Sequence, residues 1–332
     1  MRRAPAHAGR LRRPERFAFA LVLVLMAAFV VGLAVAASGS GGRSIAGRPA
    51  AAGSRTVTAG ATGAPTAQPA GRAAAQGAPD GTGSAATTPS AALDARLAVA
   101  LRLVTAGARG HVSVGIIDES SGAEAVYHAG TRYHGAGIVT ADILAALLYQ
   151  HQAARTAMSA QDADLATRMI ENGDNAAAAA LWTAIGGGSG LAAANRALLL
   201  AHTRAGRAGS WAATRTTVSD QLQLLGDLTS GRSPLAAAAR DYELGLLSAA
   251  PAGQRWGVPA AAVSRSGFAV SDGVLSDQRL WGANSVGVIQ RNGQDLLIAV
   301  LSGGSATKAA GMSLVRAAAL AAAQVITGSS AS

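Results

Sequence analysis

Nucleophilic catalysis needs a hydroxyl or thiol beside a base, and a metal centre needs His, Cys or carboxylate ligands at short spacings. This sequence offers little of either. It has no Cys, which excludes disulfides and thiolate metal sites. His111, His128, His134, His151 and His202 show no metal-ligand spacing and read as surface or packed side chains. Gly186-Gly187-Gly188 is not followed by Lys-Thr or Lys-Ser, so it reads as a turn and not a phosphate loop. No metal and no cofactor is expected. Three short strings remain. Thr140 lies in a helical pattern that begins at Gly137. Gly173-Asp174-Asn175 precedes AAAAALW, where Asp or Asn is an ordinary helix N-cap. Arg265-Ser266-Gly267, before Phe268, puts a guanidinium on an expected strand. Such an Arg can hold a carboxylate with two parallel hydrogen bonds, or simply face solvent. Trp182, Trp211, Trp256 and Trp281 are expected in the core or between lobes.

The elements that must carry these strings follow from periodicity. Leu93, Leu97, Leu101 and Val104 mark a helix over 92–106. VSVGIIDE and AEAVYHA, split by Ser-Ser-Gly, read as a β-hairpin. Helices are expected over 137–152, 160–172, 175–185, 190–200, 216–229 and 234–249. Strands are expected over 261–268, 280–290 and 295–302. The last two are joined by Arg291-Asn292-Gly293, a hairpin signal. A final helix covers 306–326. The order predicts an α/β (α+β) domain over 92–327. A five-stranded antiparallel sheet is flanked by the terminal helices. Residues 92–135 and 255–327 form the sheet lobe, and 136–254 an inserted all-helical lobe.

The residues before this domain explain the charge. The whole chain carries +10, which resembles a nucleic-acid signal. Residues 1–92, however, hold ten Arg against Glu15 and Asp80, so the domain itself is nearly neutral and nucleic-acid binding is not expected. Residues 1–16 form a basic cytoplasmic tail by the positive-inside rule. Residues 17–37 are uncharged and would span roughly 30 Å as a helix. They read as a single-pass membrane anchor, with a cleaved signal peptide and a secreted product as the alternative. Residues 38–91, rich in Gly, Ala, Ser, Thr and Pro, read as a disordered linker that cannot bury a core. The domain is then expected outside the cytoplasm, beside a cell membrane.

The architecture, together with AGIVTADILAALL (136–148), MIENGDNAAAAALW (169–182), WAATRTTVSDQLQLL (211–225), RSGF (265–268) and WGANSVG (281–287), resembles the class A β-lactamases and penicillin-recognising serine hydrolases, in a branch common in actinomycetes. That family works with Ser-x-x-Lys, Ser-Asp-Asn and Lys-Thr-Gly motifs. The resemblance places Gly137 at the nucleophile and Thr140 at the lysine, so both reactive groups are absent. Gly173 takes the place of the second motif's serine, while Asp174 and Asn175 remain. Asn175 is expected to face the cleft and bond a substrate amide. Arg265, Ser266 and Gly267 align with the third motif, with Arg265 as the carboxylate-binding cation. The oxyanion hole would use the N–H groups of Gly137 and Phe268, which survive loss of the serine. No Glu or Asp lies between His202 and Thr217 to act as the deacylating carboxylate.

This reading implies a membrane-tethered homologue that binds a ligand without turning it over. The expected ligand is a peptidoglycan peptide or a β-lactam-like carboxylate, held by Asn175, Arg265, Ser266, Gly267 and Phe268. One alternative is a hydrolase with a relocated nucleophile at Thr140 or Ser266. Another is a protein-interaction scaffold with a vestigial cleft and an unknown partner.

Overall fold

A computed structural model describes residues 89–206, 209–263 and 267–328. The tail, the anchor, residues 38–88 of the expected linker, Arg265 and Ser266 fall outside the described residues, and residues 89–91, expected as linker, are helical.

Helix α1 (Pro89–Thr105) leads into β1 (His111–Asp118) and β2 (Ala123–Tyr127). After β3 (Tyr133–His134) and a 3-10 turn at Ala136–Ile138 come α2 (Val139–Ala154), α3 (Ala160–Glu171), α4 (Asn175–Ala184) and α5 (Gly187–Ala197). Strand β4 (Arg215–Thr216) precedes α6 (Val218–Thr229) and α7 (Ala237–Ser248). The chain then returns to the sheet as β5 (Phe268–Asp277), β6 (Leu280–Arg291) and β7 (Gln294–Gly303), and ends in α8 (Lys308–Thr327).

The five long strands form one antiparallel sheet in the order β2-β1-β7-β6-β5. Alternation along each strand divides the core in two. Val112, Val114 and Ile116 of β1 and Leu296, Ile298 and Val300 of β7 face Leu93, Leu97 and Leu101 of α1 and Val315, Ala319 and Ala322 of α8. The odd-numbered β7 residues Leu297, Ala299 and Leu301 face Val218, Leu222 and Leu225 of α6 instead. Gly115 permits this second packing, since a Cβ there would lie 2.6 Å from Leu222 Cδ1. Helix α8 is the one described helix long and apolar enough to cross a membrane, but half of it is buried in the fold. It serves here as a core helix.

The β6–β7 hairpin turns at Asn292 (φ 53°) and Gly293 (φ 79°), the left-handed pair that a two-residue hairpin requires. One expected strand differs. Residues 258–261 are a 3-10 turn, and the strand begins at Phe268. It runs through Ser271-Asp272-Gly273, a string that reads as a turn. The polar groups are tolerated because they are bonded. Asp272 accepts from the Trp256 N–H (2.7 Å), the Gly257 N–H (3.1 Å) and the Ser285 hydroxyl. Two-residue strands β3 and β4 pair with each other and were not expected.

Candidate active site

The turn leading into α2 is fixed from three sides. Gly135 donates its N–H to Thr214 O at 2.7 Å. Asn284, fully buried on β6, donates to the carbonyls of His134 (2.7 Å) and Gly135 (3.0 Å) and accepts from Ser302 N–H at 3.1 Å. Ala136 then adopts φ 53°, a left-handed conformation costly for a residue with a Cβ. The result drives Gly137 against the middle of β5. A Cβ on Gly137 would lie 2.6 Å from Asp272 O and 3.0 Å from Gly273 Cα. Conversely, a Cβ on Gly273 would lie 2.3 Å from Gly137 N and 2.8 Å from Gly137 Cα. Backbone lies against backbone, and each glycine requires the other.

This contact corrects the third-motif assignment. The strand segment brought to Gly137 is Ser271-Asp272-Gly273, six residues beyond Arg265-Ser266-Gly267. Gly267 (φ 80°) sits before β5 beside the Gln290 side chain. Phe268 pairs with Ile289 at the start of β5, with the Arg255 guanidinium 5.4 Å from its ring centre. Gly273 lies five residue steps along β5 from Phe268, about 17 Å at strand rise. Gly267 and Phe268 therefore take no part in this neighbourhood. The residue after Gly273, Val274, lines the cleft in place of Phe268. The sequence misleads because Ser-Asp-Gly mimics a turn, while RSGF has the small-residue pattern of the motif.

The cleft has a volume of about 470 Å³ and contains Gly137, Thr140, Gly173, Asp174 and Asn175 together. Thr140 donates its hydroxyl to Gly137 O at 2.8 Å, back in the 3-10 turn that precedes its helix. Ser271 approaches the same carbonyl at 3.5 Å. His134 does not line this cleft, so no imidazole serves Thr140 there. Asp174 is the N-cap of α4, accepting from Ala176 N–H (2.8 Å) and Ala177 N–H (3.1 Å), and it pairs with Arg168. Those bonds hold the half-buried Asp174 carboxyl below its ordinary value, the Ala177 N–H contributing most. Asn175 is exposed at the start of α4 and lines the cleft.

Gly173 adopts φ 65°, and a Cβ there would lie 2.0 Å from Gln254 Nε2. Gln254 thus fills the space that a side chain at Gly173 would take. Trp211 and Trp256 both line the cleft, and Arg316 of α8 holds the Trp256 carbonyl at 3.2 Å. Lys308, the chain's only lysine, is the cation of the cleft. It sits in the first turn of α8, behind the Thr307 cap, where the helix dipole disfavours a positive charge. Gln254 and Lys308 are the residues that sequence reasoning missed. A lone lysine placed against a helix dipole was the available signal.

Three carboxyls shape the electrostatics below the cleft. Burial pushes Asp272 up to about 6, against the opposing pull of its three donors. Burial also pushes Asp142 of α2 up to about 7, although Gln221 donates to both of its oxygens at 3.2 Å. Glu243 of α7 is fully buried without a partner for either oxygen, and burial raises it well above the ordinary glutamate value. None of the three reaches Gly137 as a base. Among the described residues no group of His, Asp or Glu is arranged to hold a metal.

A five-stranded antiparallel sheet flanked by terminal helices, with its cleft where β5 meets the first turn of a helical lobe, defines the β-lactamase and transpeptidase-like class. The model of the beta-lactamase enzyme family matches residues 150–326, just over half of the chain, and the chain belongs to that family. No curated protein matches the sequence. Solved structures of the same fold include a class A beta-lactamase from Bacteroides cellulosilyticus DSM 14838. It is 12% identical with a TM-score of 0.61, covering 71% of this chain and 99% of that one. A beta-lactamase from Streptosporangium roseum is 20% identical at TM-score 0.60, covering 70% and 99%. The putative class A beta-lactamase PenP from Rhodopseudomonas palustris is 22% identical at TM-score 0.57, covering 71% and 100%.

Proposed function

We propose that this domain is a non-catalytic member of its family that holds a carboxylate-bearing cell-wall peptide in the Gly137–Lys308 cleft. The observation that carries this reading is the contact of Gly137 with Asp272 and Gly273. It leaves no volume for a nucleophilic side chain. The cleft beside it stays open, with Asn175, Lys308, Trp211 and Trp256 on its walls. Lys308 at the α8 N-terminus offers a peptide carboxylate both a charge and helix N–H groups. Asn175 offers an amide for the peptide backbone. The tryptophans supply apolar surface. A relocated nucleophile is disfavoured because the Thr140 hydroxyl is engaged with Gly137 O and faces no base. Residues 17–37 would tether the domain near membrane-bound wall precursors, where confinement raises effective concentration.

Removal of a serine nucleophile typically costs about a million-fold in turnover. The full chain should therefore form no covalent adduct with labelled penicillin by intact mass. A peptidoglycan stem peptide should quench tryptophan fluorescence, and Lys308→Ala should weaken it about 10-fold. A stable penicillin adduct would overturn the reading. So would peptide affinity indifferent to both Lys308→Ala and Asn175→Ala.

A further inference from the structure

A second cleft runs along the β3–β4 ribbon, and its chemistry is different. Two adjoining cavities, of about 810 and 310 Å³, share Arg132, His134 and Arg215, and Arg204 lines the larger. Neither contains Gly137, Asn175 or Lys308.

The backbone dictates how these side chains gather. Arg204 and Arg215 exchange both N–H···O bonds at 2.8 Å, as directly opposed antiparallel residues. Arg215 on its other side is registered with His134. Directly opposed residues project from the same face of a ribbon. Arg204, Arg215 and His134 therefore form one row. Arg132 joins at its edge, tied to His202 O by Nε at 3.1 Å and accepting Arg215 Nη2 on its own carbonyl at 3.1 Å. Like charges directly opposed in a ladder are unfavourable. Here the arrangement is uncompensated. No ion pair among the described residues involves Arg132, Arg204 or Arg215. The one acid of the two cavities, Asp277, lies 3.9 Å from His134 at the far end of the row.

Among the described residues, the backbone bonds leave further guanidinium nitrogens without a protein partner. Arg132 uses Nε alone, Arg204 uses Nη1 alone, and Arg215 uses Nη2 alone. These bonds fix the direction of each side chain and leave two nitrogens of each to bind a ligand. Three such forks around a cavity far larger than one ion match a ligand with several anionic oxygens along its length.

We infer that the Arg132–Arg204–Arg215 row is a binding site for a multiply charged phosphate ligand, separate from the family cleft. The phosphate could be carried by a soluble phosphodiester polymer or by an anionic lipid headgroup. The site does not rest on the cell-wall peptide reading above.

The test uses the full chain in neutral detergent, with tripolyphosphate, a glycerol-phosphate oligomer, and dihexanoyl phosphatidylglycerol against dihexanoyl phosphatidylcholine as probes. Binding is read by calorimetry at two salt concentrations. Tripolyphosphate should bind, and added salt should weaken it. Arg204→Gln with Arg215→Gln should lower affinity at least about 10-fold, and Arg132→Gln should lower it less. Arg102→Gln, an exposed arginine on α1, should change nothing. Binding of the oligomer identifies a polymer as the source, and binding of the glycerol lipid but not the choline lipid identifies a headgroup. Failure of all three phosphates overturns the site. So does affinity retained in the double variant, an equal loss in Arg102→Gln, or tighter binding of duplex DNA than of any of them.

Discussion

The two glycine positions in the walls of the family cleft are filled in different ways. On the sheet side, the space at Gly137 is taken by the backbone of Asp272 and Gly273. On the helical side, the space at Gly173 is taken by the end of the flexible Gln254 side chain. The buried acids differ as well: Asp272 is met by three donors and Asp142 by Gln221, whereas Glu243 has none. One wall is main chain and unyielding; the other is filled by a side chain that can move. Loss of a reactive group therefore does not by itself say whether a site is closed. What fills the space decides that.

The largest effect is expected from Gly137→Ser. Its Cβ meets main-chain atoms that cannot swing away, so the urea midpoint should fall by the equivalent of about 3 kcal/mol. The variant should still form no penicillin adduct. A cost below about 1 kcal/mol would show the sheet wall to be as adjustable as the helical one. Next, Asp272→Asn turns an amide N–H₂ toward backbone donors and should cost about 2 kcal/mol, read from the same midpoint.

The third prediction concerns pH. Glu243 and Asp142 on the helical side and Asp272 on β5 are all raised above their ordinary values, so the folded state keeps protons that the unfolded state has released. For such groups stability falls as pH rises, beginning near the unfolded value. For Asp142 the fall ends at about 7. Urea stability should accordingly rise on acidification from about pH 8 to pH 5, by at most about 1.4 kcal/mol per unit for each titrating group. Glu243→Gln should flatten that slope. An unchanged slope would mean the helical wall stores no such cost. The smallest effect is expected at Gly173→Ser, about 1 kcal/mol, mainly from the left-handed backbone. Adding Gln254→Ala should cost almost nothing more, because Gln254 must already move. Additive losses would contradict the adjustable character of that wall.

How much of this was readable beforehand follows the same physical line. Periodic apolar residues announced α1, α8, the hairpins and the helical lobe, because burial imposes a period. Asp174 as a cap was legible for a local reason, its bonds lying within three residues. Strand β5 was misplaced because Asp272 is made tolerable by donors 15 and 16 residues away. The meeting of Lys308, Gln254 and Asn175 in one cleft is likewise a product of tertiary folding. Strands β3 and β4, two residues each, are too short to show a period, so the arginine row they create was invisible.

The paired glycines also bear on how this protein can change over time. On the proposed non-catalytic reading, a serine introduced at Gly137 would bring a nucleophile's chemistry but not its room. It would bring a folding defect first, and room for its side chain would need β5 to shift. The contact would then act as a ratchet: the neighbouring backbone makes the one-residue path to a serine costly.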